Sequence, residues 1–126
     1  MARILVIDDD PVMRVLMSGA LEARGHCVLE AADGQAGVKL FDRDRIDLVV
    51  TDIVMPVQEG IATIGALRRL SPSVPILAIS GSNTVGRYGD YLHAAEVLGA
   101  TASLPKPFSA ENLIEAIERL LLPPRK

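Results

Sequence analysis

The chain has 126 residues, 49% of them hydrophobic, with a formal net charge of −3 and a pI near 5.3. That length and apolar content suit one domain with a real core and exclude a disordered chain. The acidic balance argues against a nucleic-acid-binding surface, which needs a basic patch; the basic residues that cluster, Arg68-Arg69 and the tail Arg125-Lys126, read as solvated faces.

Cys27 is the single cysteine, so no internal disulfide can form, and a reduced, cytoplasmic setting is expected. It opens an apolar run and reads as a small core residue. Met1-Ala2-Arg3 leads straight into a strand-like run too short for a signal peptide. No apolar stretch is long enough for a membrane span, so no membrane partner is expected.

Short apolar runs alternate with longer helical patterns along the whole chain. The first strand is expected over Arg3–Ile7. Asp10-Pro11 then opens a helix, with Asp as N-cap and Pro at the first helical position. Val12, Met13, Leu16, Met17, Ala20 and Leu21 follow at helical spacing, and Gly25 ends it. A second strand, Cys27–Ala31, leads to Asp33-Gly34 and a helix to about Asp42. The third strand is Asp47–Thr51, and its helix runs from Gly60 to Leu70. The fourth strand is Pro75–Ile79, with a helix over Asp90–Leu98 stopped by Gly99. The fifth is Ala102–Leu104, followed by a helix that Ser109 caps and Pro123-Pro124 ends. Most strands lack polar alternation, as expected when both faces of a parallel sheet are covered.

Five β-α units in succession imply a doubly wound α/β domain, a flavodoxin-like (βα)5 with strand order 2-1-3-4-5, spanning 1–126 as a single domain with no output domain visible after Pro124. Open sheets of this kind bind ligands at the carboxyl ends of their strands. There the chain carries Asp8-Asp9-Asp10 after strand one, Asp52 after strand three, Ser80-Gly81 after strand four and Leu104-Pro105-Lys106-Pro107 after strand five. Strand two ends in Ala31-Ala32-Asp33, which only caps its helix.

Taken singly, each of these has an ordinary structural role. An acidic run after a strand is commonly a solvated helix start, Ser-Gly is turn chemistry, and a lone Lys is usually solvated. Asp10 keeps the N-cap role. Together, however, four neighbouring strand tips would gather carboxylates, a hydroxyl and an ammonium. Carboxylates sharing one site repel unless a cation neutralises them. Mg²⁺ suits one or two carboxylates plus waters and a phosphate, and an Asp can itself become a phosphoryl acceptor.

The residues resemble a response-regulator receiver domain of two-component signalling over essentially the whole chain. ILVIDDD is similar to the family's acidic-pair strand, EAADGQAGVKL to its second strand-helix junction, and DLVVTDIVMPVQEG to the phosphoacceptor strand and loop. PILAISG is similar to the hydroxyl strand and GATASLPKPF to the lysine strand. The resemblance implies Asp52 as phosphoacceptor, Asp8 and Asp9 as the acidic pair, with Asp9 direct on Mg²⁺ and Asp8 mainly through water. It also implies a backbone carbonyl from Val54 on the metal, Ser80 as the hydroxyl switch, and Lys106 on the phosphoryl group with a cis bond to Pro107. Pro56 would shape the loop behind Asp52. The implied function is a signalling switch rather than an enzyme with its own substrate. It would be charged by a histidine kinase or histidine phosphotransfer protein. It would act on a downstream protein target through the face of the fourth helix, fifth strand and fifth helix, with no direct nucleic-acid contact and a homodimer compatible with the module.

Two departures from the family's pattern stand out. Where the family often has an inward-swinging aromatic, three positions before the lysine, this chain has Ser103. The loop 81–91 is about four residues longer than is typical of the family, and Tyr88 or Tyr91 within it could take over the missing ring's role. Two other readings compete. ILVIDDDPV also fits the DxDx[TV] pattern of haloacid-dehalogenase-like phosphatases, with Asp8 as nucleophile and Asp10 as acid/base, although Asp52 would then have no task. A receiver-like module that binds partners without being phosphorylated would not need the acidic pair or Lys106. A flavin site is disfavoured because three Asp would repel an FMN phosphate. His26 and His93 read as surface or capping residues, and Met13 and Met17 as core.

Overall fold

The computed structural model describes residues 2–53, 57–80 and 99–122. In chain order these form β1 (Arg3–Ile7), α1 (Pro11–Ala23), β2 (Cys27–Ala31), α2 (Gly34–Arg43), β3 (Leu48–Asp52), α3 (Val57–Leu70), β4 (Ile76–Ser80), β5 (Ala102–Pro105) and α4 (Ala110–Leu121). The strands make one parallel sheet in the order β2-β1-β3-β4-β5. The helix expected over residues 90–98, together with Val54, Pro56, Tyr88, Tyr91 and His93, lies outside the described residues.

Parallel strands covered on both faces explain the missing polar alternation. Ile4 and Val6 point to one side of β1 and pack with Met17 and Leu21 of α1 and Leu113 and Ile117 of α4. Leu5 and Ile7 point to the other and pack with Ile64 and Leu67 of α3 and, less deeply, Phe41 of α2. Each fully buried Ile or Leu contributes roughly 1.5–3 kcal/mol of transfer free energy, so the two layers drive folding.

Local chemistry sets the helix ends. The Asp10 carboxylate accepts hydrogen bonds from the Val12 and Met13 N–H groups, and Gly25, at φ 89°, turns the chain out of α1. Asp33 caps α2 through the Ala36 N–H. Ser109 and Asn112 form a reciprocal capping box at the start of α4. Gly60 lets α3 lie against the end of β3: a Cβ there would stand 2.5 Å from the Ile53 Cα. That contact is backbone, so no side-chain rotation could relieve it.

Most boundaries fall within a residue or two of expectation. β3 reaches Asp52, β4 reaches Ser80, and α3 begins at Val57 instead of Gly60. Several expectations need correction. Cys27 is exposed, because β2 is an edge strand and only its last residue, Ala31, is buried. Val12 and Leu16 do not join the core stripe; with Val15 they are 66%, 63% and 60% exposed on the outer face of α1. Met17 is buried, and Met13 packs against it at the edge of the same core.

Arg68 is not solvated either. Its guanidinium donates to the carbonyls of Gly99 at 2.8 Å, Ser71 at 3.2 Å and Val74 at 2.6 Å, and to Thr101 Oγ1 at 3.1 Å. Thr101 Oγ1 in turn accepts the Ile76 N–H, so one side chain fastens α3 to the starts of β4 and β5. Partial burial lowers the Arg68 pKa without discharging it. His26 is an internal anchor as well: its Nδ1 accepts the Ala2 N–H at 3.3 Å, and its Nε2 lies 3.8 Å from Glu118.

Candidate functional site

The site is assembled by strand register. Ile7 pairs with Thr51, so the residues that follow, Asp8 and Asp52, come side by side at the carboxyl edge. Ser80 ends β4 in register with Pro105, which puts it at the same edge, one residue before Lys106 in the pairing frame. The long stem of Lys106 carries its ammonium across from β5 to the β1 and β3 tips.

Asp8 is completely buried and Asp52 nearly so, at 5% exposure. The Asp8 N–H donates to the Ala31 carbonyl at 3.1 Å, and its Oδ1 accepts the Asp10 N–H at 2.9 Å. Its Oδ2 has no hydrogen-bond partner among the described residues. Lys106 Nζ stands 3.2 Å from Asp52 Oδ2 and 3.7 Å from Asp8 Oδ2. One carboxylate oxygen from each of Asp8, Asp9 and Asp52 lies within 4.8 Å of the others. The Lys106–Pro107 bond is cis, as the family resemblance implies.

The electrostatics follow from this crowding. Burial raises the Asp8 pKa, opposed by the Asp10 N–H and Lys106 and reinforced by the Asp52 and Asp9 carboxylates. Burial alone would pull the Lys106 ammonium down, but Asp52 and Asp8 more than offset it and hold it above its ordinary value. A buried carboxylate oxygen without a donor, beside two further carboxylates, is a donor set for a hard divalent ion with oxygen ligands. Asp8, Asp9 and Asp52 together could hold such an ion.

Four of the residues read from the sequence thus come together: Asp8, Asp9, Asp52 and Lys106. Ser80 shares their edge by its backbone, and Val54 lies outside the described residues. Asp10 does not join them as an acid/base group, because its carboxylate caps α1. Sequence reasoning passed over Arg14, which donates from Nη1 to the Asp8 carbonyl at 2.8 Å. Nothing in the side-chain pattern announces a bond to a backbone carbonyl.

The family model described as response regulator receiver domain matches residues 4–118. The chain belongs to the response-regulator receiver family of two-component systems. It is 36% identical to the response regulator MprA of Mycolicibacterium vanbaalenii over 119 residues, covering 94% of this chain and 50% of that protein. It therefore spans about half the length of the MprA regulators it matches. Among solved structures, the Vibrio cholerae chemotaxis protein CheY4 superimposes with a TM-score of 0.85 at 32% identity, covering 96% of this chain and 99% of that one. A receiver domain protein from Clostridium thermocellum gives 0.86 at 30% identity, with 96% and 94% covered. The doubly wound fold expected from the β-α repeat is the fold of this chain, and the family that the resemblance implied is its family.

Proposed function

We propose that this receiver domain is a phosphorylation-dependent switch in which Asp52 accepts a phosphoryl group with Mg²⁺ bound by Asp8, Asp9 and Asp52. The observation that carries this reading is the buried Asp8 Oδ2 without a donor, set with two other carboxylates and the Lys106 ammonium at one sheet edge. The ion would neutralise carboxylate charge and draw a phosphoryl oxygen towards the site.

An Asp52 carboxylate oxygen attacks phosphorus, the bond from phosphorus to the donor breaks, and the donor imidazole leaves with the electron pair. Lys106, already 3.2 Å from Asp52, pairs with the charge on the transferred group. Ser80 ends β4 at the same edge. Loss of the phosphoryl group to water resets the switch, so the domain acts on itself and turns over no separate substrate.

The donor on this reading is a phosphohistidine on a histidine kinase or a histidine phosphotransfer protein, in the cytoplasm. Such a donor must cover the rim of a site whose acceptor is only 5% exposed. α1 starts beside that rim at Asp10 and turns Val12, Val15 and Leu16 outward, which gives the donor an apolar seat. The output is a change in the face made by β5 and α4, read by a protein target.

Acetyl phosphate with Mg²⁺, followed by peptide mapping of the acyl phosphate, tests the assignment. The label is expected on Asp52, and Asp52→Ala is expected to abolish it. A label on Asp8, or labelling that survives Asp52→Ala, would overturn the proposal.

A further inference from the structure

Asp8 is held at three atoms. Its N–H is bound by Ala31, its Oδ1 by the Asp10 N–H, and its carbonyl oxygen by the Arg14 guanidinium. Arg14 sits in the first turn of α1 with its side chain 20% exposed, and its Nε donates to Glu30 Oε1 of β2 at 3.1 Å. The guanidinium therefore spans from an edge-strand carboxylate to the peptide that joins Asp8 to Asp9. That peptide plane sets the direction in which Asp9 leaves the backbone. Asp9 is itself exposed.

We infer that Arg14, braced by Glu30, is a positioning residue: it fixes the Asp8–Asp9 peptide so that both carboxylates face Asp52 before a cation arrives. This rests on the Mg²⁺-dependent reading given above. An outer group that orients metal ligands typically changes affinity by 10–100-fold when removed. The geometry also separates this role from a simple charge effect, because the two have opposite signs. A guanidinium close to the acidic cluster repels an incoming cation, so a group acting by charge alone would tighten Mg²⁺ binding on its removal. A group acting by orientation would weaken it.

The test is Mg²⁺ titration calorimetry on the metal-free protein, with Arg14→Met and Arg14→Lys beside the parent chain. Arg14→Met is expected to raise the Mg²⁺ dissociation constant at least ~10-fold. Arg14→Lys, which keeps one donor within reach of the carbonyl, is expected to recover part of that loss. Thermal melting in EDTA shows that each variant is folded. In acetyl phosphate labelling, Arg14→Met should shift the half-saturating Mg²⁺ concentration by a larger factor than it changes the plateau rate. Equal or tighter Mg²⁺ binding in Arg14→Met overturns the positioning role and leaves the switch reading intact. A parent chain that binds no Mg²⁺ overturns the switch reading itself.

Discussion

Asp8→Asn should stabilise the metal-free protein and destroy the benefit of Mg²⁺, and the structure gives the size of both effects. With an effective dielectric of about 20, the 3.7 Å contact between Asp8 Oδ2 and Lys106 is an attraction of about 4–5 kcal/mol. Repulsion from another carboxylate oxygen within 4.8 Å is at least about 3.5 kcal/mol on the same scale. Asp52 exerts that repulsion from a buried position, and exposed Asp9 exerts a screened fraction of it. The pair terms therefore nearly cancel. What remains is the cost of a wholly buried carboxylate whose Oδ2 has no donor, which agrees with burial as the main cause of its raised pKa. Asparagine keeps the shape and still accepts the Asp10 N–H through Oδ1. A gain of about 1–2 kcal/mol is expected, the scale for relieving an unsatisfied buried group, seen as a rise in Tm of roughly 4–8 °C for a chain of this size. In Mg²⁺ at about a hundred times its Kd, the parent chain should gain about 2.7 kcal/mol and the variant almost nothing, so the order of stability reverses. The pH dependence has a definite sign. A carboxyl whose folded pKa is raised contributes stability that is present below its unfolded pKa and lost as pH rises through its folded pKa. In EDTA, the advantage of Asp8→Asn should therefore be small in acid and grow as pH rises through the folded value. Thermal melts followed by circular dichroism in EDTA and in Mg²⁺ decide the matter. A variant that melts below the parent in EDTA, or that gains as much from Mg²⁺, refutes the reasoning.

Arg68→Met removes a guanidinium that satisfies three carbonyls and Thr101 at the junction of α3, β4 and β5, and should cost about 2–4 kcal/mol; urea unfolding with no shift in midpoint would show that water replaces it freely. Val15→Glu puts a charge in the middle of the exposed apolar face of α1 and should slow phosphoryl transfer from a cognate kinase by ~10-fold or more, about 1.4 kcal/mol. Labelling by acetyl phosphate should be unaffected, since that donor needs no seat, and equal loss in both assays would count against α1 as the docking face.

The fold was legible because its strongest signals are made by burial. DLVVT and PILAI show no polar alternation since both faces of β3 and β4 are covered. The site was legible for a related reason: once the strand order is known, the residues after each strand must share an edge, and Asp8, Asp52 and Lys106 do. Other features left no trace in a side-chain pattern. The partners of Arg68 are mainly backbone carbonyls, so its sequence context looks like any surface Arg-Arg pair. The bond from Arg14 to the Asp8 carbonyl is hidden in the same way. Cys27 was misread because an apolar run says nothing about whether its strand sits at an edge. In α1, Val12, Met13, Leu16, Met17 and Leu21 span too wide an arc for one buried stripe, and only packing shows that Met13, Met17 and Leu21 are the inward ones.

If Asp52 is phosphorylated as proposed, the charge balance at the site offers a route to a distant surface that needs no aromatic residue in β5. Asp8, Asp9 and Asp52 against the Lys106 ammonium leave two uncompensated negative charges, which a divalent cation would cancel. A phosphoryl group on Asp52 turns one negative charge into about two, so one is again uncompensated and draws on Lys106. That side chain now divides its attraction between Asp52 and Asp8, and it would be pulled towards the new charge. Ser103 in β5 is half-buried and carries no ring to follow such a movement. Lys106, by contrast, stands between the end of β5 and the start of α4, and Phe108, two residues on, packs into the core shared by α1 and α4. Phe41, the other phenylalanine, is committed to the opposite layer. On the proposed reading, a displacement of Lys106 would be delivered along residues 106–109 to the capped start of α4, so the connection itself, and not a side chain swinging within β5, would link the charge on Asp52 to the output surface.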